Sequence, residues 1–138
     1  LEEIDLELEF AVPGQPVPQG SKNAYNQGGR IVLVESAKGL KKWRRLVSDE
    51  AARSSHKWTM PDSSVAIHVS ITFFMERPKS VKRLHPTVKP DLDKLIRGVL
   101  DGVTQSGKIW KDDSQVTVIV ASKVYASGFP LTIVSIRT

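Results

Sequence analysis

The chain has 138 residues, 40% of them apolar and none of them cysteine, which suits one domain with its own core and excludes a disulfide framework, a thiolate metal site and cysteine catalysis. No run of about 18 apolar residues occurs, so no membrane-spanning helix is predicted, and the acidic start Leu1-Glu2-Glu3-Ile4-Asp5 is the opposite of a secretory signal. Net charge is +5, but residues 1–10 hold five acids and no base, which leaves 20 bases against 10 acids in the remainder, and a body that basic suggests a polyanionic partner.

Residues 3–12 alternate strictly, with Ile4, Leu6, Leu8, Phe10 and Val12 on one side and Glu3, Asp5, Glu7 and Glu9 on the other. That pattern predicts a strand with one wet face. Pro13-Gly14-Gln15-Pro16-Val17-Pro18-Gln19-Gly20 cannot continue a ladder and reads as a loop to about Gly29. Residues 31–34 read as a short strand. From Ala37 the period becomes helical: Leu40, Trp43, Leu46, Val47 and Ala51 form the stripe, and Lys38, Lys41, Lys42 and Arg45 lie off it. Residues 64–75 alternate again, and residues 76–90, with three prolines and six basic residues when His85 is counted with the five Lys and Arg, read as a second loop.

Leu92, Leu95, Ile96, Val99, Leu100 and Val103 predict the clearest helix, over 92–103, ended near Ser106-Gly107. Residues 116–125 are apolar on much of both faces, as a central strand would be. Ser127-Gly128-Phe129-Pro130 turns the chain into a last strand, 131–136, read as the second arm of a hairpin. The prediction is a single α+β domain: a mixed, mainly antiparallel sheet with two main helices.

Three groups of residues could carry chemistry. Asp91-x-Asp93 opens the second main helix. Acids there ordinarily cap it and complement its dipole. If Asp91 is still extended and only Asp93 is helical, their carboxylates can instead converge on one ion. Asp112-Asp113-Ser114-Gln115 is either a solvated turn or a further source of carboxylate. Around both stand Lys79, Lys82, Arg83, Lys89, Lys94, Arg97, Lys108 and Lys111. Carboxylates without cysteine are hard oxygen ligands, suited to magnesium rather than zinc. Acids set among bases make sense when the substrate is an anion. Arg97, four residues after Asp93, is either an i, i+4 partner of it or a cation for a phosphate. His56, His68 and His85 form no constellation, and no Walker loop, dinucleotide fingerprint or serine elbow occurs.

The run Lys89-Pro90-Asp91-Leu92-Asp93-Lys94-Leu95-Ile96-Arg97, then Leu100-Asp101-Gly102-Val103 and Asp112-Asp113-Ser114-Gln115-Val116, resembles the RusA family of Holliday-junction resolvases. The strand ending Lys123-Val124-Tyr125 and the opening Val12-Pro13-Gly14-Gln15-Pro16-Val17-Pro18-Gln19-Gly20-Ser21-Lys22 fit it as well. The resemblance implies a homodimer that binds four-way DNA junctions and cuts two opposing strands with Mg2+, Mn2+ being a substitute. It implies a role in DNA recombination and repair, in the cytoplasm of a bacterial cell, often from a phage gene. It implies Asp91, Asp93 and Asp113 as metal ligands, with Asp112 the runner-up for the third. Where the family usually has lysine this chain has Arg97, which keeps the charge but does not readily give up a proton. Arg97 and Lys123 are expected to stabilise charge on the phosphate. Lys22, Arg30, Lys79, Lys82, Arg83, Lys89 and Lys94 are expected to contact DNA backbones. The alternatives are a nuclease for forks or flaps, a DNA-binding module without catalysis, and a domain with no nucleic-acid role.

Overall fold

The computed structural model describes residues 6–20, 22–35 and 38–138, with 22–27 and 31–35 described by their backbone alone. Strand β1 (Glu7–Pro13) is followed by β2 (Lys22–Gln27), β3 (Arg30–Glu35), helix α1 (Leu40–Ser54), β4 (Ile67–Met75), helix α2 (Leu92–Ser106), β5 (Val116–Tyr125) and β6 (Leu131–Arg137). The main sheet has the order β1-β6-β4-β5, and β2 and β3 form a separate hairpin. β6 is antiparallel to both β1 and β4, whereas β4 and β5 are parallel. This is the α+β, mainly antiparallel arrangement that the sequence predicts. The first residues of the predicted strand 3–12 lie outside the described residues.

Alternation decides which side of the sheet is dry. Leu8, Phe10 and Val12 of β1, Val134 and Ile136 of β6, and Val69, Ile71 and Phe73 of β4 are all buried. They form one cluster with Leu40, Trp43 and Val47 of α1 and Leu95, Val99 and Val103 of α2. Both helices therefore cover one face of the sheet, each by its apolar stripe. The other face carries Ser70, Arg137 and Glu7 and stays exposed.

The helices cross where α2 has Gly98 and Gly102. A Cβ on Gly102 would lie 2.7 Å from Val47 Cβ and 3.1 Å from the Arg44 carbonyl oxygen. Only glycine permits that approach. Gly102→Ala is expected to destabilise the fold by about 2–3 kcal/mol through overpacking. A thermal melt should register this as a Tm lowered by roughly 10 °C. Gly98→Ala should cost less, because a Cβ there would come no nearer than 3.1 Å, to the Val17 carbonyl oxygen of a loop.

Four predictions need correction. Residues 22–27, read as loop, form a strand, and the signal was Gly28-Gly29: both glycines have positive φ (60° and 83°), as a two-residue primed hairpin turn needs. Pro13 ends β1 rather than stopping short of it, because β1 is an edge strand, where a missing donor is tolerated. β5 is the other edge strand and not a central one. Nor is it a hairpin with β6, because β6 is inserted between β1 and β4. The apolar faces of β5 are therefore left half open: Val118 is 41%, Ile119 39% and Val120 65% exposed.

Candidate metal centre and nucleic-acid interface

β4 and β5 are parallel neighbours joined through α2, so α2 returns the chain from the C-terminal end of β4 to the N-terminal start of β5. The two candidate acid groups stand at opposite ends of this unit. Asp91 and Asp93 open α2, beyond the C-terminal ends of the strands. Asp112 and Asp113 lie at the start of β5.

Asp91 is the N-cap of α2 with extended backbone (φ −70°, ψ 141°), yet its side chain makes no capping hydrogen bond. The cap reading of this carboxylate therefore fails, and the backbone is the one that convergence with Asp93 requires. Its carboxylate is 3.9 Å from the Lys94 ammonium, a loose and half-exposed pair. Asp93 is exposed in the first turn, and Arg97, also exposed, forms no ion pair among the described residues. Of the two readings of Arg97, the i, i+4 ion pair with Asp93 is not formed.

At the other end the two acids divide their roles. Asp112 caps the short 3-10 turn Asp113–Gln115, and its carboxylate accepts from the Ser114 backbone N–H at 3.3 Å. Hydrogen bonds from the Ser114 side chain and backbone hold the Asp112 carboxyl below its ordinary pKa. Gln115 is buried and completes the capping box: its carbonyl oxygen accepts from Lys111 N–H at 2.9 Å and Asp112 N–H at 3.3 Å. Its amide donates to Asp62 O at 2.9 Å and Val65 O at 3.2 Å. All its polar atoms are satisfied, so the turn is rigid. Asp113 is left without such a task. Desolvation first, then the charges of Asp112 and Asp101, push its pKa up. A carboxylate so placed gains from a cation.

Asp101 had no role in the sequence reading beyond membership of a motif. It accepts a hydrogen bond from the Gln19 amide, and the Gln19 carbonyl oxygen accepts from Arg44 at 3.2 Å. Gln19 N–H also donates to Lys94 O at 2.9 Å, which ties the proline-rich opening across α2. A signal for Asp101 did exist, since it is the one acid in the second half of α2.

One chain does not bring Asp113 to Asp91 and Asp93. Asp113 feels Asp101, which is eight residues beyond Asp93 on α2, about 12 Å along the axis. Carboxylates sharing one magnesium bind it at about 2.0–2.1 Å. Among the described residues no group of three acids or histidines could hold a metal ion.

The basic residues lie mostly where DNA could reach them. Lys79, Lys82, Arg83 and Lys89 are exposed on the loop between β4 and α2, and Arg30 is exposed at the hairpin turn. The side chain of Lys22 lies outside the described residues. The loop is held to β5 by an arginine that sequence reasoning passed over. Arg77 sits 4.2 Å over the Tyr125 ring and donates to Arg83 O at 2.7 Å. Arg83 lies 5.8 Å over the same ring. Lys123, expected on a phosphate, instead has its ammonium on two backbone carbonyls, Val88 O at 2.7 Å and Pro90 O at 2.8 Å.

The family model for endodeoxyribonuclease RusA matches residues 13–137, nearly the whole chain. The chain belongs to the RusA endodeoxyribonuclease family. It is therefore a member of a group of DNA-hydrolysing enzymes that act on branched DNA junctions. It is also 30% identical over 135 residues to a Bacillus subtilis (strain 168) protein, "Uncharacterized protein YqaN", covering 86% of this chain and 88% of that one. Among the described residues no helix is long and apolar enough to cross a membrane.

Proposed function

We propose that this RusA-family chain resolves four-way DNA junctions as a homodimer, with Mg2+ (Mn2+ as substitute) held by Asp91 and Asp93 of one copy and Asp113 of the other. The observation that carries this is the separation of the acids along β5, together with the open edge of that strand. An antiparallel pairing of two β5 edges about a twofold axis reverses one strand against the other. The start of one β5, with Asp113, then lies beside the end of its mate, where Asp91 and Asp93 stand. The same pairing covers Val118, Ile119 and Val120 and joins two four-stranded sheets into one. It also yields two symmetric sites, which paired cuts in opposed strands need.

The residues fit a hard divalent ion: oxygen donors only, one carboxylate free of its cap, and one whose charge is disfavoured until a cation arrives. Bound there, the ion would polarise the scissile phosphate and lower the pKa of an attacking water. Arg97, one turn after Asp93, offers a guanidinium to the phosphate oxygens and takes no part in proton transfer. Lys79, Lys82, Arg83 and Lys89 hold the backbones of the arms, so binding weakens steeply with salt. Recognition by phosphates favours branch shape over sequence.

The test is cleavage of junction, fork and plain duplex, with and without Mg2+. Junction cutting should require the ion, and Asp93→Asn should slow it by about 10²–10³-fold or more, the scale for removing a group that stabilises the reacting charge. Equal cutting of plain duplex would overturn the resolvase reading. Preference for forks or flaps would move the same chemistry to another branched substrate.

A further inference from the structure

Lys123 stands near the end of β5, paired in register with Phe73, whose side chain is buried under the helices. Its ammonium donates to Val88 O at 2.7 Å and to Pro90 O at 2.8 Å. These two carbonyls flank Lys89, and the second belongs to the residue just before Asp91. An ammonium has three donors, and two of them are occupied here. The opposite end of the loop has a different anchor, Arg77 on the Tyr125 ring. The approach to Asp91 is therefore tied to β5 through Lys123. Asp91 itself makes no cap bond that would orient its carboxylate.

We infer that Lys123 is a positioning residue: it ties β5 to the 88–90 segment and thereby sets the direction of the Asp91 carboxylate, rather than contacting DNA phosphate. This rests on the metal reading above. Partners that orient a ligand without touching the ion typically matter about 10–100-fold in metal affinity.

The test uses the full chain and two readouts besides cleavage. The first is Mn2+ binding without DNA, followed by the electron paramagnetic resonance of the free ion. The second is junction binding without metal, measured across a salt series. Lys123→Met should raise the Mn2+ concentration at half-saturation by about tenfold or more. Its metal-free junction affinity and salt slope should match wild type. Lys123→Arg, which keeps donors for both carbonyls, should recover most of the Mn2+ affinity. Should the methionine variant not fold, Lys123→Gln carries the same comparison. Unchanged Mn2+ binding together with a salt slope reduced by about one would mean that Lys123 is a phosphate contact, and the inference falls. Asp93→Asn is the control. If that variant keeps Mn2+, the metal reading itself is wrong; if it loses Mn2+ while the Lys123 variants do not, only the inference about Lys123 is wrong.

Discussion

Asp93→Asn and Asp113→Asn proteins, each inactive alone, are expected to regain junction nicking when the two are co-expressed and allowed to form mixed dimers. In a mixed dimer one shared site carries both substitutions and the other carries neither. Random assortment makes about half of the dimers mixed, so about a quarter of the wild-type number of sites is restored. Each mixed dimer has one working site, so the product is a nick in one strand and not a pair of cuts. Two differently tagged copies, purified through both tags, isolate the mixed species. If each chain held a complete site of its own, every site in that species would lack one acid. No recovery in doubly tagged dimers would therefore remove the shared site from the proposal, while leaving membership of the RusA family untouched.

The second large effect concerns the edge of β5. Ile119→Lys with Val120→Lys should yield a monomer that stays folded yet has lost about 10² or more of its junction cleavage, the loss expected when a stabilising group no longer reaches the reacting centre. Both residues are substantially exposed in the single chain, at 39% and 65%. Surface changes of that kind usually alter stability by less than about 0.5 kcal/mol. Across a twofold axis the new lysines would meet their own copies, and like charges across a strand pair are destabilising. Sedimentation should show the protomer mass in place of twice that mass, with a melting curve close to wild type. A variant that remains dimeric and active would place the dimer surface elsewhere. An exposed apolar edge is otherwise a hazard for aggregation, and the irregularity that the β4–β5 ladder has at Thr117 leaves the stretch from Val118 to Val120 in regular register and without proline.

Much of the fold was legible because periodicity is a local property. The stripe from Leu92 to Val103 and the alternation of residues 67–75 each bury the predicted face. The errors came where a strand's fate depends on which neighbour it finds. Residues 116–125 carry the composition of a central strand, but composition reports that apolar surface must be covered and not by what. In one chain the cover is partial, and a second copy supplies the rest in the arrangement proposed. The β2–β3 hairpin was missed for a smaller reason: six polar-rich residues lack alternation, and only the two glycines marked the turn.

The ingredients of the candidate site could be read from residue order alone. That order set oxygen ligands without sulfur, acids among bases, and an aspartate pair at a helix start, since residue types and local spacing fix these. Their use depends on how the chain packs. The packing left Asp91 uncapped while giving the cap at the second turn to Asp112, because Gln115 is buried there and closes the capping box. It gave the Lys123 ammonium two backbone partners, because the register of β5 beside β4 carries it to the carbonyls of residues 88 and 90. It also set Asp113 before the start of β5 and Asp93 beyond the far ends of β4 and β5, because a parallel strand pair is joined by a crossover that travels the length of the sheet. That separation is a consequence of topology, which no local pattern of residues records.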